Sequence, residues 1–135
     1  MIVVGYSGGS FGQACLEHGI AEAQFRETDL LVINAVSDGR GQHHVEAEEM
    51  AEVEKVLAAS GVKYRLSQTI GSTPVDELLA AMDEPEAELL VIGLRRRTQV
   101  GKLLMGSTFQ QLLSFCRKPI LVVKPKRDDD QYQHI

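Results

Sequence analysis

The residues best suited to chemistry in this chain lie between Gly93 and Ser107. An apolar run leads into Gly93, and a helical pattern begins near Ser107. Three consecutive arginines, residues 95–97, and then Lys102 lie between them. A glycine directly after a buried strand lets the chain turn where a side chain would clash. Gly106 and Ser107 ahead of a helix offer a capping hydroxyl and free N–H groups, which together suit a phosphate. The segment therefore predicts an anion site.

A second glycine-rich loop follows the first apolar run. Residues 5–12 read Gly-Tyr-Ser-Gly-Gly-Ser-Phe-Gly. This loop fits neither the dinucleotide pattern Gly-x-Gly-x-x-Gly nor a P-loop, and Asn34 and Ala35 stand where an acidic residue would end the second strand. Its start is similar to the Ser-Gly-Gly-x-Asp-Ser loop of PP-loop ATP pyrophosphatases, but Phe11 and Gly12 break that pattern. Without the acidic residue, adenylylating chemistry has little support.

Length and composition indicate one globular domain. The chain has 135 residues, enough for a proper core. A net charge of −5 argues against a general nucleic-acid binder. No apolar run approaches the length that spans a bilayer, and the chain starts directly with a strand rather than a signal segment. Cys15 and Cys116 lack metal-ligand spacing, so we interpret them as reduced core thiols of a cytoplasmic protein.

Strand and helix patterns alternate along the chain. Continuous apolar runs at residues 2–4, 30–36, 89–92 and 120–123 are typical of strands buried on both faces. Residues 62–69 alternate instead, which predicts a half-exposed strand nearer an edge. Helical patterns fall between the strands, at residues 11–26, 44–60, 74–82 and 107–116. We expect Ala14, Ala21 and Phe25 to share the inner face of the first helix, and Thr73 to cap the third.

The alternation predicts an α/β fold with one doubly wound parallel sheet and helices on both faces. Five strands in the order 3-2-1-4-5 place the switch point between the first and fourth strands, where ligands bind in such sheets. The loops at residues 5–10 and 93–106 then meet in one crevice. We expect a single domain over residues 1–124 and an exposed tail over residues 125–135.

The second of these loops also resembles the ATP-binding signature of the universal stress protein family. That signature runs Gly, two residues, Gly, nine residues, Gly, then Ser or Thr. Gly93, Gly106 and Ser107 fall on three of its positions, and Arg96 stands where the second glycine belongs. The continuation over residues 112–124 is similar to the last helix and last strand of the family, so the resemblance covers nearly the whole chain.

The resemblance implies non-catalytic binding of an adenine nucleotide, ATP or AMP, in a stress or signalling response, with Mg²⁺ entering only alongside the nucleotide. It places the backbone near Ala35 against the adenine, and Ser7 and Gly93 near the ribose. Family members that hold ATP commonly offer an aspartate where Ser7 stands. The other predicted nucleotide-binding residues are Gly8, Arg96, Gly106, Ser107 and Thr108. Arg96 either contacts a phosphate or obstructs it.

Two other functions remain open at this point. One is an interaction module of the same fold that binds no nucleotide, as part of this family does. Its homodimer would pair through the edge strand Ile120–Val123, although the chain's tail folding back over that edge would leave a monomer. The other is a weak nucleotide phosphohydrolase. No Ser/His/Asp or Cys/His set and no paired carboxylates can be placed at the crevice, which argues against an enzyme.

The remaining charged residues have simple interpretations. His43 and His44, with Glu46 and Glu48 nearby, only loosely resemble a metal cluster. An acidic series follows in the second helical pattern, and we interpret it as a solvated face. It consists of Glu46, Glu48, Glu49, Glu52 and Glu54.

Overall fold

Strands and helices alternate along the chain as the sequence predicts. The computed structural model describes residues 1–36, 45–94 and 106–124. The strands found there are β1 (Ile2–Gly5), β2 (Leu30–Val36), β3 (Tyr64–Ile70), β4 (Leu89–Gly93) and β5 (Ile120–Val123). The helices are α1 (Gly9–Arg26), α2 (Ala47–Ala59), α3 (Pro74–Met82) and α4 (Ser107–Phe115). Within these ranges no helix combines the length and apolarity needed to cross a membrane.

All five strands run parallel in one sheet, in the order β3-β2-β1-β4-β5. Ile2 at the start of the central strand lies opposite Leu30 on one side and Leu89 on the other. The predicted α/β class and strand order are therefore confirmed. The half-exposed strand also lies at an edge, as its alternating pattern indicated.

The sheet is buried on both faces, which explains its continuous apolar strands. On one face Val4, Leu30 and Val32 pack with residues of α1 and α2, among them Leu57. On the other face Val3, Ile33 and Leu90 pack with residues of α3 and α4. Each such side chain, when fully buried, contributes about 1.5–3 kcal/mol to folding. Both helical layers are thus held against the strands whose ends form the crevice.

The inner face of α1 differs from the prediction. Ala14 is buried, but Ala21 is exposed and Phe25 is 85% exposed. The residues that face the sheet are small and recur at helical spacing: Gly12, Cys15, Gly19 and Ala23. A Cβ at Gly19 would lie only 2.3 Å from Cγ2 of Val4. Because α1 approaches the central strand this closely, small residues are required at the contact, and Phe25 points away from the sheet.

The last two helices agree more closely with their patterns. α3 has the predicted bounds, and Oγ1 of Thr73 accepts a hydrogen bond from the N–H of Asp76 at 3.1 Å, which confirms the cap. In α4, Leu112 is buried, whereas the adjacent Leu113 is 45% exposed. This nine-residue helix buries only a narrow stripe, so the second leucine of the pair lies at its border.

Candidate functional site

The carboxyl ends of β1 and β4 lie side by side at the switch point of the strand order. Val4 is in register with Val91, so both strands end at the same edge of the sheet. Most of the residues predicted to form the site lie at this edge or in the segments that follow it. Ser7 and Gly8 follow β1, Ala35 lies near the end of β2, Gly93 ends β4, and Gly106, Ser107 and Thr108 begin α4. Arg96, with residues 95–105 as a whole, lies outside the described residues.

Gly93 is a glycine because of packing behind the crevice. A Cβ at this position would lie 2.9 Å from Sγ of Cys15 on α1, which confirms the expected clash and identifies its partner. Cys15 is a buried free thiol, and burial raises its pKa to about 12. The thiol therefore stays protonated at neutral pH and behaves as an apolar group. Cys116, the other free thiol, is only partly buried.

The start of α4 is open. Gly106 occupies the N-cap position in an ordinary extended conformation, and it cannot cap with a side chain. A Cβ there would meet no atom of the described residues within 4 Å. Ser107 is the first helical residue, so the prediction that its hydroxyl caps the helix is wrong. The first N–H groups of a helix carry partial positive charge, and here the N-cap residue provides no side chain to accept from them.

The loop after β1 is closed, in contrast, by a carboxylate from α2. Tyr6 is buried beneath the first turn of α1, where a Cβ at Gly12 would lie 2.7 Å from its ring. The hydroxyl of Tyr6 donates a hydrogen bond to the carboxylate of Glu49. The same oxygen, Oε2, accepts the N–H of Gly9 at 3.0 Å. Burial first, and then the bond to Glu49, raise the pKa of Tyr6 well above its ordinary value, so the hydroxyl remains a donor at neutral pH.

Glu49 therefore corrects the prediction that the acidic series of α2 is a solvated face. Sequence reasoning missed this residue because its neighbours in the series are charged. Its spacing carries the signal: Glu49 precedes the buried Val53 by four residues and the buried Leu57 by eight, and so lies on the inner stripe of the helix. A carboxylate on that stripe needs a hydrogen-bond donor, and the loop after β1 provides two.

Two glycines give the same loop its shape. Gly8 and Gly9 have φ angles of +89° and +66°, in the left-handed region that favours glycine. A Cβ at Gly8 would also lie 3.2 Å from Cγ2 of Val45, just before α2. The loop thus fits tightly beneath the start of that helix.

Two amide side chains, the buried Asn34 and Gln68 on the edge strand, brace the strand ends beneath the crevice. Asn34 is fully buried, and its Nδ2 donates to the carbonyl of Tyr6 at 2.7 Å. Its Oδ1 accepts from Nε2 of Gln68 at 2.9 Å, and that nitrogen also donates to the carbonyl of Val45 at 2.8 Å. The polar residue that stands in place of a dinucleotide-binding acid therefore ties β1, β2, β3 and the segment before α2 together.

Two other features of the chain lie apart from this crevice. His43 and His44, the loose metal-cluster residues, fall outside the described residues, and within the described ranges no group of three His, Cys, Asp or Glu side chains could hold a metal. A cleft of about 460 Å³ opens at the amino ends of the strands, on the side of the sheet opposite the crevice. Asp29, Lys63 and Arg65 are among its lining residues.

Comparison with known proteins identifies the family of this chain. The sequence profile described as the Universal stress protein family matches residues 1–124. The chain belongs to the universal stress protein family. A universal stress protein of Mycolicibacterium smegmatis is 53% identical over 130 residues, covering 93% of this chain and 98% of the relative.

Solved structures of universal stress proteins share the fold. One from Archaeoglobus fulgidus superposes with a TM-score of 0.73 at 23% identity, covering 91% of this chain and 96% of the other. A structure from the same organism in complex with dAMP gives 0.63 at 19% identity, covering 91% and 95%. A universal stress protein in complex with cAMP gives 0.65 at 24% identity, covering 91% and 94%. At these identities the likeness establishes the fold.

Proposed function

We propose that this universal stress protein family member binds an adenine nucleotide, ATP or AMP, without turning it over. The site is the crevice at the carboxyl ends of β1 and β4, and the role is in a cytoplasmic stress or signalling response. One observation carries the proposal: α4 begins at this edge with Gly106 and Ser107 of the family signature, and its N-cap residue, a glycine, makes no side-chain cap bond. Universal stress protein structures in complex with dAMP and cAMP support the choice of ligand.

In this proposal each part of the nucleotide meets a different element. The phosphates take the N–H groups at the start of α4, together with the hydroxyls of Ser107 and Thr108. The ribose lies near Ser7, Gly8 and Gly93, and the adenine lies against the backbone near Ala35. These segments converge at one edge of the sheet. Mg²⁺ would come only with the nucleotide, where it would offset the negative charge of the phosphates.

The proposal is tested by titrating the purified protein with ATP and with AMP in a calorimeter. We expect saturable binding that weakens when Gly106 is replaced by Leu, because a bulky side chain would fill the space in front of the helix start. Ser114→Leu on the exposed part of the same helix is the matched control and should bind like the unmodified protein. No heat and no thermal shift at millimolar nucleotide would leave the non-binding interaction module. Steady release of phosphate from ATP would instead favour the phosphohydrolase.

Arg96 can be assigned by two substitutions. If its guanidinium contacts a phosphate, Arg96→Ala should weaken ATP binding by about 1–3 kcal/mol, the scale of a charged hydrogen bond. If the side chain obstructs the site, Arg96→Gly should strengthen binding, because glycine restores the family pattern. An affinity unchanged from that of the unmodified protein in both variants would mean that the side chain points into solvent and that both versions are wrong.

We also propose that two copies pair antiparallel through β5. This strand is an edge of the sheet, and three of its four residues are only partly buried. The carbonyls of Pro119 and Val123 accept from the N–H groups of Leu90, on β4, and Leu94, directly after it. The backbone N–H and C=O groups of successive strand residues point to opposite sides of the strand. Those of Val122 therefore face away from β4, toward the open edge. Such an edge invites pairing with another chain.

Two proline substitutions on neighbouring residues of β5 test the proposed pairing. Val122→Pro removes an outward N–H, so it should yield folded monomers in light scattering. Leu121→Pro removes an N–H that faces β4, so it should destabilise the fold itself. An unmodified protein that is monomeric at tens of micromolar would defeat the dimer and favour a covered edge (this concentration is roughly where a micromolar dimer is well populated).

A further inference from the structure

Two helices, α1 and α4, begin at the crevice, and they differ in what is bound at their first N–H groups. The first N–H of α1, at Gly9, donates to Oε2 of Glu49 at 3.0 Å. The N-cap residue of α4 is Gly106, which makes no side-chain cap bond. An anion is stabilised at a helix start by the free N–H groups and the helix dipole. At α1 the protein already supplies that anion from its own α2.

The carboxylate of Glu49 holds both ends of the short loop that contains two predicted site residues. Tyr6 is fixed by its hydroxyl bond to Glu49 and by the bond from Asn34 to its carbonyl. Gly9 is fixed by its N–H bond to Glu49. Ser7 and Gly8 therefore lie between two anchored residues.

Without such anchoring this loop would be costly to order. Gly8 and Gly9 both have positive φ angles, and glycine is the residue that loses most conformational freedom on folding. A ligand that met a free loop would have to supply the free energy of ordering it. A loop fixed beforehand leaves more of the contact energy for affinity.

We propose that Glu49 is a positioning residue of the candidate nucleotide site, a proposal that depends on the function proposed above. It fixes the loop that carries Ser7 and Gly8 before the nucleotide arrives. By occupying the start of α1 it also leaves the start of α4 as the position for the phosphates. Its action passes through Tyr6 and Gly9 rather than through contact with the ligand.

The test compares Glu49→Ala with Glu48→Ala, since both glutamates lie in the first turn of α2 and only Glu49 contacts the loop. Two quantities are measured well below the melting temperature: amide hydrogen exchange over residues 5–12, and AMP affinity by calorimetry. For Glu49→Ala we expect exchange of the loop to rise roughly tenfold or more, as for loss of a charged hydrogen bond. AMP affinity should fall about three- to tenfold, because the ligand must now order the loop. Glu48→Ala should change neither.

A conservative variant separates positioning from general stability. Glu49→Gln keeps an acceptor for the N–H of Gly9, so it should recover most of the loop protection and most of the affinity. Lower melting temperature with unchanged AMP affinity in Glu49→Ala would overturn the positioning role while leaving the proposed function standing. Unchanged loop exchange would also overturn it. An unmodified protein that fails to bind AMP would remove the proposed function, and the positioning role with it.

Discussion

The two corners that flank the crevice are both glycine-rich in sequence, yet they are built in opposite ways. At the β1–α1 corner, Gly8 and Gly9 need their left-handed backbone and Gly12 makes room for the ring of Tyr6. A carboxylate from α2 then closes that corner. At the β4–α4 corner, Gly106 has an ordinary backbone and open space around it among the described residues. One corner is occupied by the protein's own carboxylate, and the other is the corner at which we propose that a ligand binds.

This difference shows that a glycine has to be interpreted through its neighbours. Gly93 and Gly106 belong to the same family signature, but Gly93 is explained by its approach to Cys15 without any ligand. Gly106 has no such packing neighbour in the part of the chain that the structure describes, and so it is the stronger indication of a binding site. Substituting these glycines one at a time tests the distinction.

The largest effect should come from Gly12→Ala. The added Cβ would lie 2.7 Å from Cε1 of the buried Tyr6 ring, which has little room to move. Overpacking of this kind costs up to about 3 kcal/mol, and the better helix propensity of alanine offsets about 1, so we expect a net loss near 2 kcal/mol. Urea unfolding measures the loss. Full stability in this variant would show that the corner is looser than its contacts indicate.

Gly93→Ala should cost about 1–2 kcal/mol, because its Cβ meets the sulfur of Cys15. This loss should be recovered in part when Cys15→Ala is added, since removing the sulfur makes space for the new methyl group. The double-mutant cycle, measured by the same unfolding method, should therefore be strongly non-additive. Additive losses would mean that Gly93 is required for a reason other than this packing.

Tyr6→Phe keeps the ring against Gly12 and removes only the hydroxyl that binds Glu49. We expect a loss of about 1 kcal/mol in unfolding free energy, the usual net value of one hydrogen bond. Tyr64→Phe is the control, because the hydroxyl of Tyr64 bonds Glu54 in a partly exposed position on the edge strand β3 and should contribute less. Equal losses from the two substitutions would show that the bond between Tyr6 and Glu49 contributes no more to stability than the hydroxyl of Tyr64 does.

Gly106→Ala should have the smallest effect on stability. Its backbone suits alanine, and the poorer N-cap preference of alanine is offset by the lower entropy of the unfolded chain, so the change should stay within about 0.5 kcal/mol. Thermal unfolding measures it. A loss as large as that of Gly12→Ala would make Gly106 a structural glycine and end the contrast between the corners.

The sheet order and class followed from the sequence because five apolar or alternating runs alternated with helical patterns, and few topologies accommodate them. The inner face of α1 could not be predicted from the sequence in the same way. Hydrophobicity indicated Phe25, whereas close packing against the sheet requires glycine and cysteine. Glu49 was missed for a related reason. A charged residue on an inner stripe has meaning only when its donors are known, and Tyr6 and Gly9 are distant in sequence.

The central claim, that the open corner binds the nucleotide, is tested most directly by an NMR titration of backbone amides with AMP. The account predicts that the largest shift changes centre on Gly106, Ser107 and Thr108, with smaller ones at Ser7 and Gly93. The amide of Gly9 should change little, because Glu49 already occupies it. Shifts centred on Gly9, or on the cleft near Asp29 and Arg65 at the amino ends of the strands, would contradict the account. The absence of any shift at millimolar AMP would contradict it as well.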